Sequence, residues 1–250
     1  MPPPVKYRPI LLSTLLLTLL SAHAATAQEG AERRKRYYNS QARPYYRGPV
    51  RFTVGGGVAL YNGDLAENVA NNFPGPSVSL GLLYLVRPHL VVGGEFTYFQ
   101  IGAKDQAPER GLSFQGRNES LVAFVRYELL RDESEFAGAR RPAALVKPYL
   151  KAGAGFLLYN PKVYLGNQRP AGNTVYLTPE VNDYPATALV APVGLGFDFR
   201  LTPKIGAALE ATYNFTSTDR LDDVSARGNP NLKDGYGLVE LKLEYSPWGR

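Results

Sequence analysis

The chain has 250 residues, contains no cysteine and carries a formal net charge of +6. That composition excludes a disulfide scaffold and a thiolate metal centre, and it excludes a lipoprotein, whose anchor needs a cysteine behind an export signal. The charge is unevenly placed: residues 28–48 hold Arg33, Arg34, Lys35, Arg36, Arg43 and Arg47 against Glu29 and Glu32, the leader adds Lys6 and Arg8, and 49–250 is neutral. The high pI therefore reports the two leading segments, and nucleic acid is not an expected partner of the folded part.

Residues 1–27 read as an export signal, with a basic start at Lys6 and Arg8, an apolar run from Ile10 to Leu20 and a small-residue cleavage site at Ala25-Thr26-Ala27. The apolar run is shorter than the roughly 20 residues a spanning helix needs. Residues 28–48 are polar and aperiodic and read as a basic, disordered leader. Residues 49–250 fit the length of one domain.

Eight segments of that domain alternate with a period of two, the signature of a strand with one apolar face. In 50–61 the apolar parity holds Val50, Phe52, Val54, Val58 and Leu60. Segments 77–86 and 90–101 continue it with Val78, Leu80, Leu82 and Tyr84, then Val92, Phe96 and Tyr98 against Glu95. Segment 120–129 sets Leu121, Val125 and Tyr127 against Arg126 and Glu128, and 149–159 sets Leu150, Phe156 and Leu158 against Lys151. Segment 191–201 opposes Val193, Leu195, Phe197 and Phe199 to Asp198 and Arg200. In 205–215, Leu209, Tyr213 and Phe215 face away from Glu210, and in 238–245 Val239, Leu241, Leu243 and Tyr245 face away from Glu240, Lys242 and Glu244.

The connections give the topology. Segments 87–89 and 202–204 are tight turns, whereas 62–76, 102–119, 160–190 and 216–237 are longer and rich in Gly, Asn, Asp and Pro. The pattern predicts an all-β fold, an eight-stranded antiparallel up-and-down transmembrane β-barrel of OmpA-like size, with short turns and both termini in the periplasm and long loops outside. Segment 130–146 breaks the alternation and reads as a solvated insertion at the short-turn end. A soluble lipocalin-like barrel with the apolar stripe turned inward is the structural rival, because parity alone does not say which face is inside. The Gly-rich polar face and the aromatic residues near strand ends favour the membrane. Outer-membrane lipid is then the first expected partner.

An eight-stranded barrel has room inside only for side chains. Glu95, Arg126, Glu128, Lys151, Asp198, Arg200, Glu210, Glu240, Lys242 and Glu244 are expected to pair across the lumen, since a lone buried charge is costly. A narrow ion path is the lesser alternative. Catalysis is not expected: His23 leaves with the signal and His89 falls in a predicted periplasmic turn, so Ser-His chemistry lacks a base at the outer rim. No cofactor is expected either, and Asp219, Asp222 and Asp223 read as a solvated acidic loop in preference to a divalent-cation site. Arg33, Arg34, Lys35 and Arg36, followed by Tyr37 and Tyr38, offer a surface for periplasmic protein partners or for headgroups.

The loops carry a resemblance in order: Tyr61-Asn62-Gly63-Asp64-Leu65, Arg110-Gly111-Leu112-Ser113-Phe114, Tyr159-Asn160-Pro161, Pro192-Val193-Gly194-Leu195-Gly196 and Asp219-Arg220-Leu221-Asp222-Asp223-Val224-Ser225. Over about residues 50–246 the chain resembles the Bacteroidota outer-membrane barrel family that carries a domain of unknown function and includes the PorG-like component of the type IX secretion system. It departs from that family at Arg220, where members generally have Tyr, in the 130–146 insertion and in the charged C-terminal end at Trp248-Gly249-Arg250. The resemblance implies a non-enzymatic barrel acting as a structural or assembly component that tethers periplasmic partners, with Tyr61, Gly63, Asp64, Arg110, Phe114, Pro161, Asp219, Asp222 and Asp223 as the matched loop positions. A stand-alone OmpA-like envelope protein, or a barrel that binds a ligand through its loops, remains the alternative.

Overall fold

The computed structural model describes residues 35–63, 69–105, 111–130, 132–137, 143–179, 184–223 and 233–247. Among these described residues ten strands form: a small hairpin of β1 (Tyr37–Tyr38) and β2 (Pro44–Tyr45), then β3 (Val50–Asn62), β4 (Gly75–Arg87), β5 (Leu90–Lys104), β6 (Leu112–Glu128), β7 (Val146–Leu165), β8 (Ala186–Arg200), β9 (Ile205–Thr216) and β10 (Gly235–Tyr245). Strands β3 to β10 pair antiparallel in sequence order and close as a barrel through β10 on β3, with Tyr245 opposite Phe52. Closure pairs each barrel strand on both sides over the rows that all eight share, and the even strand number puts the start of β3 and the end of β10 at one end, here the turn end.

The barrel is apolar outside and keeps its charges inside, among buried apolar side chains such as Leu83, Val91 and Phe124. Val54, Leu80, Leu82, Leu121, Phe156, Leu195 and Leu241 all stand exposed on the exterior, while Arg126, Glu210, Lys242 and Glu244 are 1–2% exposed. This is the reverse of a lipocalin-like arrangement and disposes of that rival. Exposed Tyr84, Tyr127 and Tyr245 mark the turn end of the apolar exterior, and half-buried Tyr98 and Tyr213 with exposed Phe215 mark the loop end.

Several barrel strands run longer than the periodicity predicts, among them β8, which begins at Ala186 instead of 191. β5 continues to Lys104, β6 begins at Leu112 instead of 120, and β7 extends from Val146 to Leu165, so the predicted 102–119 loop shrinks to the residues between β5 and β6. The cause is an inversion of parity. Beyond Tyr98, Glu119 and Leu158, which share one row of the register, the outward residues become Gln100, Arg117 and Asn160, then Gln115 and Lys162. The inward ones become Phe99, Ile101, Phe114 and Val163, all buried. An apolar stripe that changes face in mid-strand does not read as one strand. It is what a barrel shows when its surroundings change from oil to water along its axis.

The leader is also corrected in part. Residues 36–48, predicted to be disordered, contain the β1–β2 hairpin, and the described part of the 130–146 insertion packs on it: Tyr45 bridges Phe136, and the Ala137 amide donates to the Pro44 carbonyl at 2.8 Å. The Gly48 amide then donates to the Leu85 carbonyl at 2.9 Å, joining the hairpin to the barrel rim. Tyr45 and Phe136 supply the apolar contact that a tail of this composition otherwise lacks. The signal-peptide residues 1–27 lie outside the described residues.

Candidate functional site: the lumen and its two ends

Alternation along β5, β7, β9 and β10 aims Glu95, Lys151, Glu210, Glu240 and Lys242 at one level of the lumen. Glu240 and Glu210 are direct cross-strand neighbours, a like-charge pairing that is unfavourable unless neutralised. Lys242 Nζ neutralises it, 2.7 Å from Glu210 and 3.3 Å from Glu240, and also contacts Glu95. Lys151 Nζ reaches Glu210 at 2.8 Å and Glu95 at 3.0 Å. Carboxylate oxygens of Glu95, Glu210 and Glu240 lie within 4.8 Å of one another, close enough for a cation, and the Lys242 ammonium occupies that place. Gly55 makes room for it: a Cβ there would stand 2.8 Å from Lys242 Cγ and 2.4 Å from Ser79 Oγ.

Nearer the turn end, Arg126 contacts Glu244 at 2.8 Å and stacks over the Tyr149 ring at 3.9 Å, and the Tyr149 hydroxyl donates to Glu210 at 2.8 Å. Arg51 contacts the other Glu244 oxygen at 2.8 Å and Asp198 at 3.4 Å. These groups cross the lumen fully buried, so the interior is a packed ionic layer. Nine of the ten charges expected in the lumen join such contacts; Arg200 is half-buried at the rim and makes no ion pair among the described residues. Sequence reasoning misses Arg51 and Lys147. Arg51 sits on the inward parity of the first barrel strand, a signal that was available, whereas Lys147 is hidden because its strand starts inside the predicted insertion.

At the turn end, Lys147 Nζ lies 2.6 Å from Glu128, 2.9 Å from Glu135 and 3.9 Å from Asp132. Glu133–Glu135 forms one turn of 3-10 helix, capped by Asp132, whose carboxylate accepts from the Ser134 amide at 2.9 Å. Three carboxylates share one ammonium. Burial, with Glu128 beside it, pushes the Glu135 carboxyl up to about 7, although Lys147 pulls it down. Arg43 clamps the hairpin to this turn by an ion pair of 2.7 Å to Glu133 and by stacking 3.9 Å over Phe136. Of the basic tail, Arg33 and Arg34 lie outside the described residues; Lys35 and Arg36 are exposed.

At the loop end, the Tyr61 hydroxyl meets Asp222 at 2.7 Å and Asp234 at 2.8 Å, and the second Asp234 oxygen accepts from the Leu221 amide at 2.9 Å. Phe114 packs edge-on against Tyr61 at 4.7 Å. Gly63 is required by this latch, since a Cβ would fall 2.0 Å from Asp234 Oδ1 and 2.1 Å from the Tyr61 hydroxyl. Asp223, at a φ of 59°, accepts from the Tyr184 hydroxyl at 2.7 Å, and burial pushes the Tyr184 phenol up. Asp219 pairs with Lys233 at 3.9 Å, and Pro161 sits buried in β7 opposite Gly116. Tyr61, Gly63, Phe114 and Asp222 thus form one cluster, with Asp234 a member that the sequence pattern does not reveal. Asp64 and Arg110 lie outside the described residues. His89 sits in the β4–β5 turn at a φ of 71°, its Nδ1 2.9 Å from the Glu128 carbonyl and its ring stacked on Tyr127. It is held at the end opposite the latch.

No family model matches the chain, and no curated protein matches it. Among solved structures, it is similar to Neisserial surface protein A, at 16% identity over 80% of this chain and 97% of that one with a TM-score of 0.46. It is similar to Ail, the attachment invasion locus protein of Yersinia pestis, at 14% identity over 78% and 96% with a TM-score of 0.42. It is also similar to the outer membrane enzyme PagL, at 15% identity over 77% and 98% with a TM-score of 0.33. At these levels no activity, ligand or partner passes from those proteins to this chain.

Proposed function

We propose that the chain is a non-conducting, non-enzymatic barrel of the bacterial outer membrane whose turn end, in the periplasm, holds a docking platform for other envelope proteins. The observation that carries the membrane placement is the inversion of parity on β5, β6 and β7. The outward face of these strands is apolar up to the row of Tyr98 and Leu158 and polar beyond it, where Phe99, Ile101, Phe114 and Val163 face inward. A barrel wholly in water has no reason to expose the lower stripe, and one wholly in lipid has no reason to expose Arg117 and Lys162.

The packed ionic layer favours an architectural lumen over an ion path. The platform reading rests on the hairpin: Arg43, Tyr45 and Phe136 fix residues 36–48 to the 132–137 segment and leave Arg36, Tyr38 and Gln41 exposed. A preorganised surface loses less entropy on binding than a free tail. The finer assignment, a tether in type IX secretion, follows the motif resemblance, with Arg33 to Arg36 as the contact run. Affinity recovery from gently solubilised outer membranes, comparing the wild type with Arg43→Glu, tests it. Periplasmic secretion components recovered with the wild type and lost with the variant support the tether. Recovery of the barrel alone in both cases removes it and leaves a stand-alone envelope barrel.

A further inference from the structure

Strands β5, β6 and β7 rise above the apolar exterior as a one-sided crest, since β3 ends at Asn62 and β10 begins at Gly235, opposite each other. The outer face of this crest is polar and mainly cationic. Arg117 stands between Gln100 and Asn160, Lys162 stands opposite Gln115, and Lys104 stands opposite Ser113. Arg117 and Lys162 are exposed and Lys104 is half-exposed. Glu119, one row nearer the apolar exterior between Tyr98 and Leu158, is the single acid on this outward face among the described residues. Neither Arg117 nor Lys104 has an ion-pair partner among the described residues, and Lys162 has only the Tyr176 ring, 5.6 Å away.

We infer that this crest binds the phosphorylated headgroups of lipid in the outer leaflet. Arg117 and Lys162 are diagonal neighbours on adjacent strands, a separation of roughly 7–8 Å that long side chains span to meet one phosphate. A guanidinium offers phosphate two parallel donors and an ammonium adds a compact charge. Continuity selects a lipid as the occupant. The same face of the same three strands carries Phe96, Leu121, Phe156 and Leu158 immediately below, so a lipid whose chains lie on those residues brings its headgroup to Arg117 and Lys162. Tyr98 lies at the junction, where an amphipathic ring belongs. An acidic protein bound to the crest alone would leave that registration unexplained.

The inference rests on the membrane placement proposed above, and the test separates the two. Wild type and the Arg117→Gln, Lys162→Gln double variant are recovered from outer membranes in neutral detergent and titrated with diphosphorylated lipid A, with fully dephosphorylated lipid A, or with inorganic pyrophosphate. Bound species are read by native mass spectrometry. The wild type is expected to retain the phosphorylated lipid about tenfold better than the dephosphorylated one, and the variant to lose that preference, with pyrophosphate not retained by either. Both residues are exposed, so the folded band on an unheated gel should be unchanged in the variant. Equal retention of both lipids, or equal retention by both proteins, overturns the headgroup site while leaving the membrane placement intact. Pyrophosphate binding equal to that of the lipid also overturns it. Loss of a co-purifying acidic protein with lipid retention unchanged gives the crest to that partner instead. Recovery of both proteins from the soluble periplasm overturns the placement and the site together.

Discussion

The Lys242 ammonium lies 2.7 Å from Glu210 in the middle of the barrel, at the point where Glu210, Glu240 and Glu95 would otherwise repel one another. Removing one partner of a buried ion pair leaves an uncompensated charge, so Lys242→Met is expected to destabilise the barrel by about 3–5 kcal/mol. Urea unfolding followed by gel mobility measures the loss. Adding Glu210→Gln to Lys242→Met should recover part of it, because the two residues are coupled. Additive effects would show that they are not.

The layer built on Arg126, Tyr149, Lys151 and Lys242 leaves no expected route for ions. Reconstituted in planar bilayers, the purified barrel should give no stepwise current. Discrete steps that enlarge in Arg126→Ala would establish a path through the layer.

Glu135 gives the turn-end platform a pH dependence. Its carboxyl is raised to about 7 in the folded protein by burial, against roughly 4.3 when unfolded. A group whose folded value is raised contributes fully below the unfolded value and loses that contribution as pH rises through the folded one, so docking of the 132–137 segment should weaken between about pH 4.5 and 7.5. Limited proteolysis of this segment should be several-fold slower at about pH 5 than at pH 8, and Glu135→Gln should flatten the profile. A wild-type profile as flat as that of the variant contradicts the assignment.

The loop-end latch should fail in Gly63→Ala, whose Cβ would overlap Asp234 and the Tyr61 hydroxyl. Tyr61→Phe removes the donor shared by Asp222 and Asp234 and should cost about 1–3 kcal/mol locally. Faster protease cleavage between β9 and β10 on intact cells, with the barrel still folded, is the expected result for both. Unchanged cleavage would mean that the loop is held elsewhere.

The strand count and the inward charges were legible because alternation and burial report the same fact: Leu121, Val125 and Tyr127 have one neighbour and Arg126 and Glu128 another. The ends of β5, β6 and β7 were illegible for the complementary reason. Phe114 and Arg117 obey a water-exposed parity and Leu121 a lipid-exposed one, and no single pattern spans both. The hairpin docking was illegible as well, since it depends on Tyr45 meeting Phe136, residues 91 positions apart that no local period connects. Gly63 and Asp222, from two separate loop motifs, converge through Asp234, which lies in neither. Lys147 was lost at a boundary, the least dependable part of any reading by periodicity.

Because the chain contains no cysteine, single cysteines can be placed along the outward face of β6 at 115, 117, 119, 121, 123, 125 and 127 without interference. Spin labels at these sites, in barrels reconstituted into liposomes, report contact with lipid through collision with oxygen and contact with water through collision with a nickel chelate. The parity inversion at Glu119 predicts oxygen-dominated collisions at 121, 123, 125 and 127 and nickel-dominated collisions at 115 and 117. Nickel access at all seven sites would contradict membrane embedding, and oxygen access at all seven would contradict the crest.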